Sequence, residues 1–130
     1  MNKYTYALGR RKTAVATMRL YAGKGVSTVN GKPIEEAYIS EFTRADLIAP
    51  FKVADLAPAQ YYFTAKVRGG GTSAQVEAIR FALARCIANS QEELRKPLKD
   101  AGLLTRDPRM VERKKTGRHK ARKSEQYSKR

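Results

Sequence analysis

Apolar and polar residues alternate along several stretches of the chain, which is the pattern of half-buried β-strands. From Lys12 to Tyr21, every second residue faces one side and is apolar: Ala14, Ala16, Met18 and Leu20. An earlier strand is predicted over residues 4–8, with the chain turning back near Gly9. A third clear alternation runs from Tyr61 to Arg68. These three segments predict most of a β-sheet.

The segment between these strands predicts short elements. Val26 to Val29 is a short strand, and Asn30-Gly31 is a strong tight-turn signal. A short helix is predicted from Pro33, in its first turn, through Tyr38. A second short helix is predicted from Thr43 to Ala49, ending before Pro50.

A long helix is predicted after three glycines, Gly69 to Gly71. It begins near Thr72 or Ser73, both of which are good helix caps. Asn89-Ser90 is predicted to interrupt it. Apolar residues at helical spacing form its buried stripe: Val76, Ile79, Leu83, Cys86 and Ile87.

The last predicted helix runs from Glu92 to Ala101 and stops at Gly102. Leu103 and Leu104 hold the following chain against the body. The sequence therefore predicts an α+β body over residues 1–104, with a strand–glycine loop–long helix unit and a second helix packed behind it. Residues 105–130 form a separate tail, with one helical turn opened by Asp107-Pro108.

The tail is strongly basic. The chain has 130 residues and a formal net charge of +15. Residues 106–130 contain 11 Lys and Arg and 3 Asp and Glu, so 11 − 3 gives +8, roughly half of the total. Such a segment repels itself, stays extended and typically serves as an interaction arm.

Composition also indicates where the protein works. Cys86 is the single cysteine, which suits a reducing compartment. No apolar run is long enough to span a membrane, and the first residues show no signal-peptide core. The expected location is the cytoplasm, or the inside of an organelle after removal of a leader.

The residues do not favour an enzyme. His119 lies in the charged tail, where no apolar pocket can tune its pKa. Cys86 lies on a buried stripe, and Glu35-Glu36 and Glu92-Glu93 are sequence neighbours that do not share a helix face. No spacing of Cys, His or carboxylates is typical of a metal site. The sequence predicts no catalytic residue, no metal, no cofactor and no small-molecule substrate.

The glycine segment has two interpretations that the sequence leaves open. It resembles a phosphate site, because glycines allow close approach and a helix N-terminus presents N–H groups. It is equally a flexible joint between a strand and a helix. It is not a Walker loop, because the Gly-Lys-Ser/Thr order is missing.

The body carries its own basic residues. "GRRKTA", residues 9–14, places three cations in succession between two predicted strands. With the tail, these residues indicate a polyanionic partner that contacts more than one side. A membrane would require a basic amphipathic helix, and DNA a recognition helix or zinc module; neither is present. RNA fits best, since basic arms order when RNA neutralises them. The body cations are Arg10, Arg11, Lys12, Arg68, Arg80 and Arg85.

Four blocks of the chain are distinctive: "GRRKTAVA" (residues 9–16), "VNGKP" (29–33), "VRGGGTSAQVEAIRFALAR" (67–85) and "LRKPLKDAGLLTRDPRMVERKKTGRHKARKSEQYSKR" (94–130). Together they closely resemble the bacterial form of ribosomal protein nine of the small subunit, and the similarity runs from Tyr4 to Arg130. One departure is Glu77, at a position where the family often has glycine.

The resemblance implies a body like the second domain of ribosomal protein S-five: a mixed sheet with a left-handed strand–helix crossover and helices on one face. It implies a structural constituent of the small ribosomal subunit, placed in the head among other head proteins. The tail passes through rRNA toward the anticodon stem-loop of the peptidyl-site tRNA. Residues implied to contact tRNA are Ser128, Lys129 and Arg130. Residues implied to contact rRNA are Arg10, Arg11, Lys12, Arg68, Gly69, Gly70, Gly71, Arg106, Arg109, Arg113, Lys114, Lys115, Arg118, His119, Lys120, Arg122 and Lys123.

Two alternatives belong to other functional classes. An RNA-processing enzyme of related fold would require clustered carboxylates for metal ions. A generic RNA chaperone would require only the basic tail.

Overall fold

One mixed β-sheet forms the body of the protein. The computed structural model describes residues 4–38, 41–56, 60–104 and Thr116. Within these residues five strands lie in the order β1-β2-β5-β3-β4. β1 pairs antiparallel with β2, β2 with β5, and β3 with β4, while β3 and β5 are parallel. The strands are β1 (Tyr4–Arg11), β2 (Ala14–Ala22), β3 (Thr28–Val29), β4 (Lys32–Pro33) and β5 (Tyr61–Arg68).

The β1–β2 turn lies at Lys12-Thr13, so the predicted turn near Gly9 is wrong. Arg11 pairs with Ala14, and Gly9 pairs with Ala16 inside the strands. A Cβ at Gly9 would lie 2.1 Å from the Ala78 carbonyl oxygen of the covering helix. Glycine is required there because a helix packs against the strand, and no turn is involved.

The helices are short apart from one. They are α1 (Ile34–Ala37), α2 (Glu41–Leu47), α3 (Ala49–Val53), α4 (Thr72–Ser90) and α5 (Arg95–Asp100), with a 3₁₀ turn at Glu92–Leu94. The helix predicted from Thr43 to Ala49 lies at Glu41–Leu47, so it ends before Pro50 as predicted but two residues early. Ala49 and Pro50 instead form the first turn of α3, a role that was not predicted for them. Proline is favoured there because the first helical N–H groups have no intrahelical acceptor.

Other predicted boundaries also differ from the structure. The α4 helix continues through Ser90, and its N-cap is Gly71, with no side-chain cap from Thr72 or Ser73. The predicted strand from Val26 begins only at Thr28. The last helix begins with a 3₁₀ turn and ends at Asp100, followed by Gly102 at φ +79° as predicted.

The core lies between the sheet and α4. The predicted inward-facing residues of β2 are all buried, and the predicted stripe of α4 is buried with them. Phe63 and Val67 face the same side from β5, and α2, α3 and α5 pack against α4. The period-two and period-3.6 patterns therefore placed the core correctly.

Side chains extend the two-residue strand β3 at both ends. The Asn30 side chain accepts a hydrogen bond from the Val67 amide at 2.8 Å and donates one to the Val67 carbonyl at 3.2 Å. The Ser27 hydroxyl accepts from the Phe63 amide at 3.3 Å. These bonds satisfy backbone groups of β5 that a longer β3 would otherwise pair.

The structure confirms the α+β class and the mixed sheet. The handedness of the crossover, the likeness to the second domain of ribosomal protein S-five and the boundary after residue 104 stay predictions. The turn at Asp107-Pro108 lies outside the described residues. Among the described helices, none is both long and apolar enough to span a bilayer.

Candidate nucleic-acid interface

The fold brings two distant basic segments together at one end of the sheet. Val15 of β2 pairs with Arg10 of β1 on one side and with Arg68 of β5 on the other. The Lys12-Thr13 turn therefore lies next to the loop formed by Gly69 to Gly71. We call the group of Arg10, Lys12, Arg68 and this loop the basic end of the sheet.

Two of the three glycines are explained by close packing. Gly69 and Gly70 have φ values of +72° and +68°, a region that side chains disfavour. A Cβ at Gly69 would lie 2.6 Å from the Thr13 carbonyl oxygen, and one at Gly70 would lie 3.0 Å from the Ala14 Cβ. The loop is thus built around the β1–β2 turn, which supports the structural interpretation at these two positions.

Gly71 differs from its neighbours. Its φ is −93°, and no atom lies within 4 Å of the position that a Cβ would take. It is the N-cap of α4, and no side chain caps the first turn. Close packing therefore gives no reason for glycine at this position.

The three cations of the basic end are exposed. Arg10 and Arg68 lie on either side of Val15, two strand spacings or about 10 Å apart. Lys12 stands at the tip of the turn with φ +53°. Within the described strands there are six Lys or Arg residues and no Asp or Glu, so no strand carboxylate offsets these charges.

The other predicted body cations make contacts within the protein. Arg80 forms an ion pair with Asp46 at 2.6 Å. The Arg85 guanidinium donates to the Leu8 carbonyl at 2.7 Å and lies over the Phe81 ring. These two arginines hold α4 to its neighbours. The sequence pattern could not distinguish this structural role from RNA binding.

Arg11 lies on the inner face of the sheet. Its guanidinium pairs with the Glu77 carboxylate, and its side chain is only 11% exposed. A buried charge needs such a partner, because burial without one is strongly unfavourable. Glu77 is one of the departures noted in the sequence analysis, and with it this chain neutralises Arg11 internally. A direct contact between Arg11 and RNA stays a prediction.

Sequence reasoning missed a row of aromatic residues on the outer face of the sheet. Tyr4, Tyr21 and Tyr62 are cross-strand neighbours, and the Tyr21 and Tyr62 rings stack with centroids 4.9 Å apart. The sequence contained a signal for this row: aromatic residues stand at the strand positions that face away from the core. Polar residues usually occupy such positions on a solvated sheet face, so the tyrosines there were unusual.

Comparisons with known proteins decide the family. The sequence profile of a family described as "Ribosomal protein S9/S16" matches residues 9–130. This chain belongs to that family. The small ribosomal subunit protein uS9 of Chlorobium chlorochromatii (strain CaD3) is 47% identical over 130 residues, which is 100% of both chains.

Proteins of the same name from two other organisms are similar to this chain over nearly its whole length. The uS9 protein of Dehalococcoides mccartyi (strain ATCC BAA-2266 / KCTC 15142 / 195) is 46% identical over 129 residues, 99% of this chain and 97% of its own. That of Chlorobaculum tepidum is 45% identical over 130 residues, 100% of both chains. The predicted resemblance is confirmed.

Members of this family are structural components of the small ribosomal subunit, so the predicted class of function is confirmed and the protein is not an enzyme. Within the part of the chain that the structure describes, no group of three or more His, Cys, Asp or Glu is arranged to hold a metal. Cys86 is fully buried, and burial raises the pKa of its thiol to about 12 despite the opposing charge of Arg85.

The buried thiol predicts a specific pH dependence. Its pKa is raised from 9.0, so the stability linked to it is complete below about pH 9 and is lost as pH rises toward 12. At pH 10 we expect the free energy of unfolding to fall by about 1.4 kcal/mol through this group. Urea unfolding at pH 8 and pH 10 measures it, with Cys86→Ala as the control for every other titrating group. An equal fall in both proteins would contradict the prediction.

The remaining predicted contact residues lie outside the described residues. They are the tail cations and His119 between residues 106 and 123, and Ser128, Lys129 and Arg130. The structure therefore describes only two groups of the residues predicted to contact rRNA, 10–12 and 68–71. It brings both groups to one end of the sheet.

Proposed function

We propose that this protein binds small-subunit rRNA in the head of the subunit, through the basic end of the sheet and the C-terminal tail. The observation that carries the proposal is the meeting of Arg10, Lys12 and Arg68 at one exposed edge, with no carboxylate on any strand that the structure describes. Arginine binds phosphate oxygens in a bidentate manner, and lysine acts as a mobile point charge. Gly71 leaves the start of α4 accessible to a phosphate group.

The tail adds a second and larger electrostatic contribution to rRNA binding in this proposal. Residues 106–130 carry a formal charge of 11 − 3, or +8, and few apolar residues. A segment of this composition does not bury enough apolar surface to offset its ordering entropy alone. rRNA supplies the missing partner, because each neutralised phosphate releases a counterion. Fully extended, about 25 residues span on the order of 80 Å, which is enough to reach a distant site.

The tail ends at the peptidyl-site tRNA in this proposal. Ser128, Lys129 and Arg130 contact the anticodon stem-loop, and the residues before them remain on rRNA. The uS9 relatives carry names that place them in the small ribosomal subunit, and the same location, in the cytoplasm or in an organelle, is proposed for this chain. Its other partners are neighbouring head proteins.

Sedimentation separates this proposal from an RNA chaperone or an RNA-processing enzyme. The tagged full chain is expected to remain with small subunits through a sucrose gradient at high salt, at about one copy per subunit. A chaperone or an enzyme leaves the subunit fraction under these conditions, because a transient complex dissociates at high salt and is not held by an assembled subunit. Loss of the protein from that fraction would contradict a structural role.

Deleting Ser128 to Arg130 is expected to weaken tRNA binding to the peptidyl site and to leave subunit assembly intact. Charge-assisted contacts of this kind contribute about 1 to 2 kcal/mol, which corresponds to a loss of about 5- to 30-fold in affinity. Arg130→Ala is expected to produce part of the loss, and Arg130→Lys less, because lysine keeps the charge without the planar fork.

The measurement is tRNA affinity on subunits rebuilt with each variant, beside a sucrose-gradient check of assembly. Equal affinity in all variants would mean that the terminus does not touch tRNA. Failed assembly after the loss of three residues would give the terminus a structural role instead.

A further inference from the structure

The outer face of the sheet is exposed over its middle strands. α4 packs on the inner face, where the apolar residues of β2 and β5 are buried, and α2, α3 and α5 pack against α4. On the opposite side, Tyr6 of β1, Arg19 of β2 and Thr64 of β5 form one cross-strand row, and Thr28 of β3 continues it. The next row contains Leu8, Thr17 and Lys66. We call these two rows the open face.

The charge of the open face is of one sign. Arg19 and Lys66 are both exposed there, and Arg10 and Arg68 continue the same side of the sheet toward the basic end. Within the described residues, every carboxylate lies on a helix, in the 3₁₀ turn or in the turn after α3. The open face is therefore complementary to a polyanion.

The tyrosines of the neighbouring row are held in place by each other. The Tyr4 and Tyr21 rings are 5.6 Å apart, and the Arg19 guanidinium lies 5.0 Å from the centre of the Tyr4 ring. A Cβ at Gly25 would lie 2.7 Å from the Tyr62 ring, so the backbone of this loop covers that ring closely. This row is a rigid platform at the side of the open face.

Tyr6 differs from these three tyrosines. Its side chain is 53% exposed, and it belongs to none of the ring pairs of the platform. It borders a shallow hollow of about 390 Å³, which is also lined by Thr17, Arg19, Thr28, Thr64 and Lys66. An exposed aromatic ring, two cations and three hydroxyl groups thus surround one concave surface.

We propose that the open face binds a single-stranded segment of RNA, with one base stacked on Tyr6 and the flanking phosphates on Arg19 and Lys66. Aromatic rings recognise unpaired bases by stacking, and nearby cations follow the phosphate backbone. The threonine hydroxyls supply hydrogen-bond partners for a ribose 2′-hydroxyl, which is present only in RNA. The proposal rests on the proposed function, since it assigns an additional contact surface to the same rRNA.

The test uses the full chain and small-subunit rRNA, with affinity measured by filter binding over a range of salt concentrations. Tyr6→Thr removes the ring and keeps a residue that favours strands, so we expect a loss of about tenfold in affinity with the salt slope unchanged. Tyr6→Phe keeps the ring and is expected to bind within about twofold of the unchanged protein. Lys66→Gln is expected to reduce the log–log salt slope by about 0.7, the contribution of one phosphate.

Lys96→Gln is the matched control, because Lys96 is an exposed lysine on α5, and α5 packs against α4 away from the open face. It is expected to leave the affinity and the salt slope unchanged. A loss of rRNA binding as large in Lys96→Gln as in Lys66→Gln would overturn the proposal, as would full affinity in Tyr6→Thr.

If Tyr6→Thr binds rRNA normally but dissociates from assembled subunits, the open face contacts a protein and the RNA proposal fails. If the unchanged chain itself does not bind rRNA, the proposed function fails, which distinguishes the two results.

Discussion

Removing residues 113–130 is expected to lower the affinity for small-subunit rRNA by about a thousandfold at 50 mM salt and to flatten its salt dependence. The segment holds 9 Lys and Arg and one Glu. If about 8 phosphates are neutralised by the whole protein, the log–log salt slope is about −6, using the coefficient of about 0.7 per phosphate for single strands. With about six of these contacts in the tail, the truncated protein retains a slope of about −1.5.

The size of the loss follows from the same relation. Six contacts contribute about 4 to the slope, so counterion release between 1 M and 50 mM salt contributes about five decades of affinity. Ordering the tail on RNA offsets part of this, since each fixed residue loses backbone entropy. About three decades remain.

A matched control keeps the charge and changes only the order of residues. A full-length variant with residues 113–130 scrambled is expected to keep the steep salt slope, because its composition is unchanged. Measurement is by filter binding from 50 to 400 mM salt. An unchanged slope after truncation would mean that the tail is not a phosphate-binding arm.

Gly9→Ala is expected to reduce the free energy of unfolding by about 3 kcal/mol, near the upper end of the range for overpacked cores. The added Cβ would lie 2.1 Å from the Ala78 carbonyl oxygen and 2.6 Å from the Ala82 amide nitrogen. Both are backbone atoms of α4, so no side chain can rotate away to make room. The helix and β1 must move apart, and this loosens the core around Ala16 and Ile79.

Gly71→Ala is the matched control for this change. It is the same substitution at a glycine with φ −93° and no atom within 4 Å of the added Cβ. We expect a small effect, within about 1 kcal/mol in either direction, because alanine restricts the unfolded chain but is a poorer N-cap than glycine. Urea unfolding of both variants measures the difference. Similar stability of Gly9→Ala and Gly71→Ala would contradict the close packing of α4 on β1.

The sequence predicted which residues face the core but misplaced several turns. Alternation and helical spacing depend on local geometry, so the inner face of β2 and the stripe of α4 were predicted correctly. Gly9 was misinterpreted, and the role of Pro50 in the first turn of α3 was missed, because each residue type has two roles in proteins. A glycine marks a turn or a close contact, and a proline ends one helix or begins the next. Only the position of α4 against β1, and of α3 after α2, distinguishes these roles.

The candidate site was predictable to a similar extent. Composition alone indicated a polyanion, and the quoted motifs indicated the family. Composition did not show that Arg68 lies one strand away from Val15 and two from Arg10, because that depends on strand register. Composition also did not separate Arg11 from Arg10. The two are successive residues of β1 and point to opposite faces, so Arg11 pairs with Glu77 while Arg10 is exposed.

The contacts between β1 and α4 also determine when the protein can fold during its own synthesis. Arg85 donates to the carbonyl of Leu8 across 77 residues, and Cys86 lies against the carbonyl of Thr5 across 81. At a translation rate of about 5 to 20 residues per second, roughly 4 to 17 s pass between the first residue and Cys86. During that interval the nascent β1–β2 hairpin exists without the helix that covers it, and an isolated hairpin is at best marginally stable in water. The sheet therefore cannot be covered before α4 has been made, which is about two thirds of the way through translation of the 130 residues.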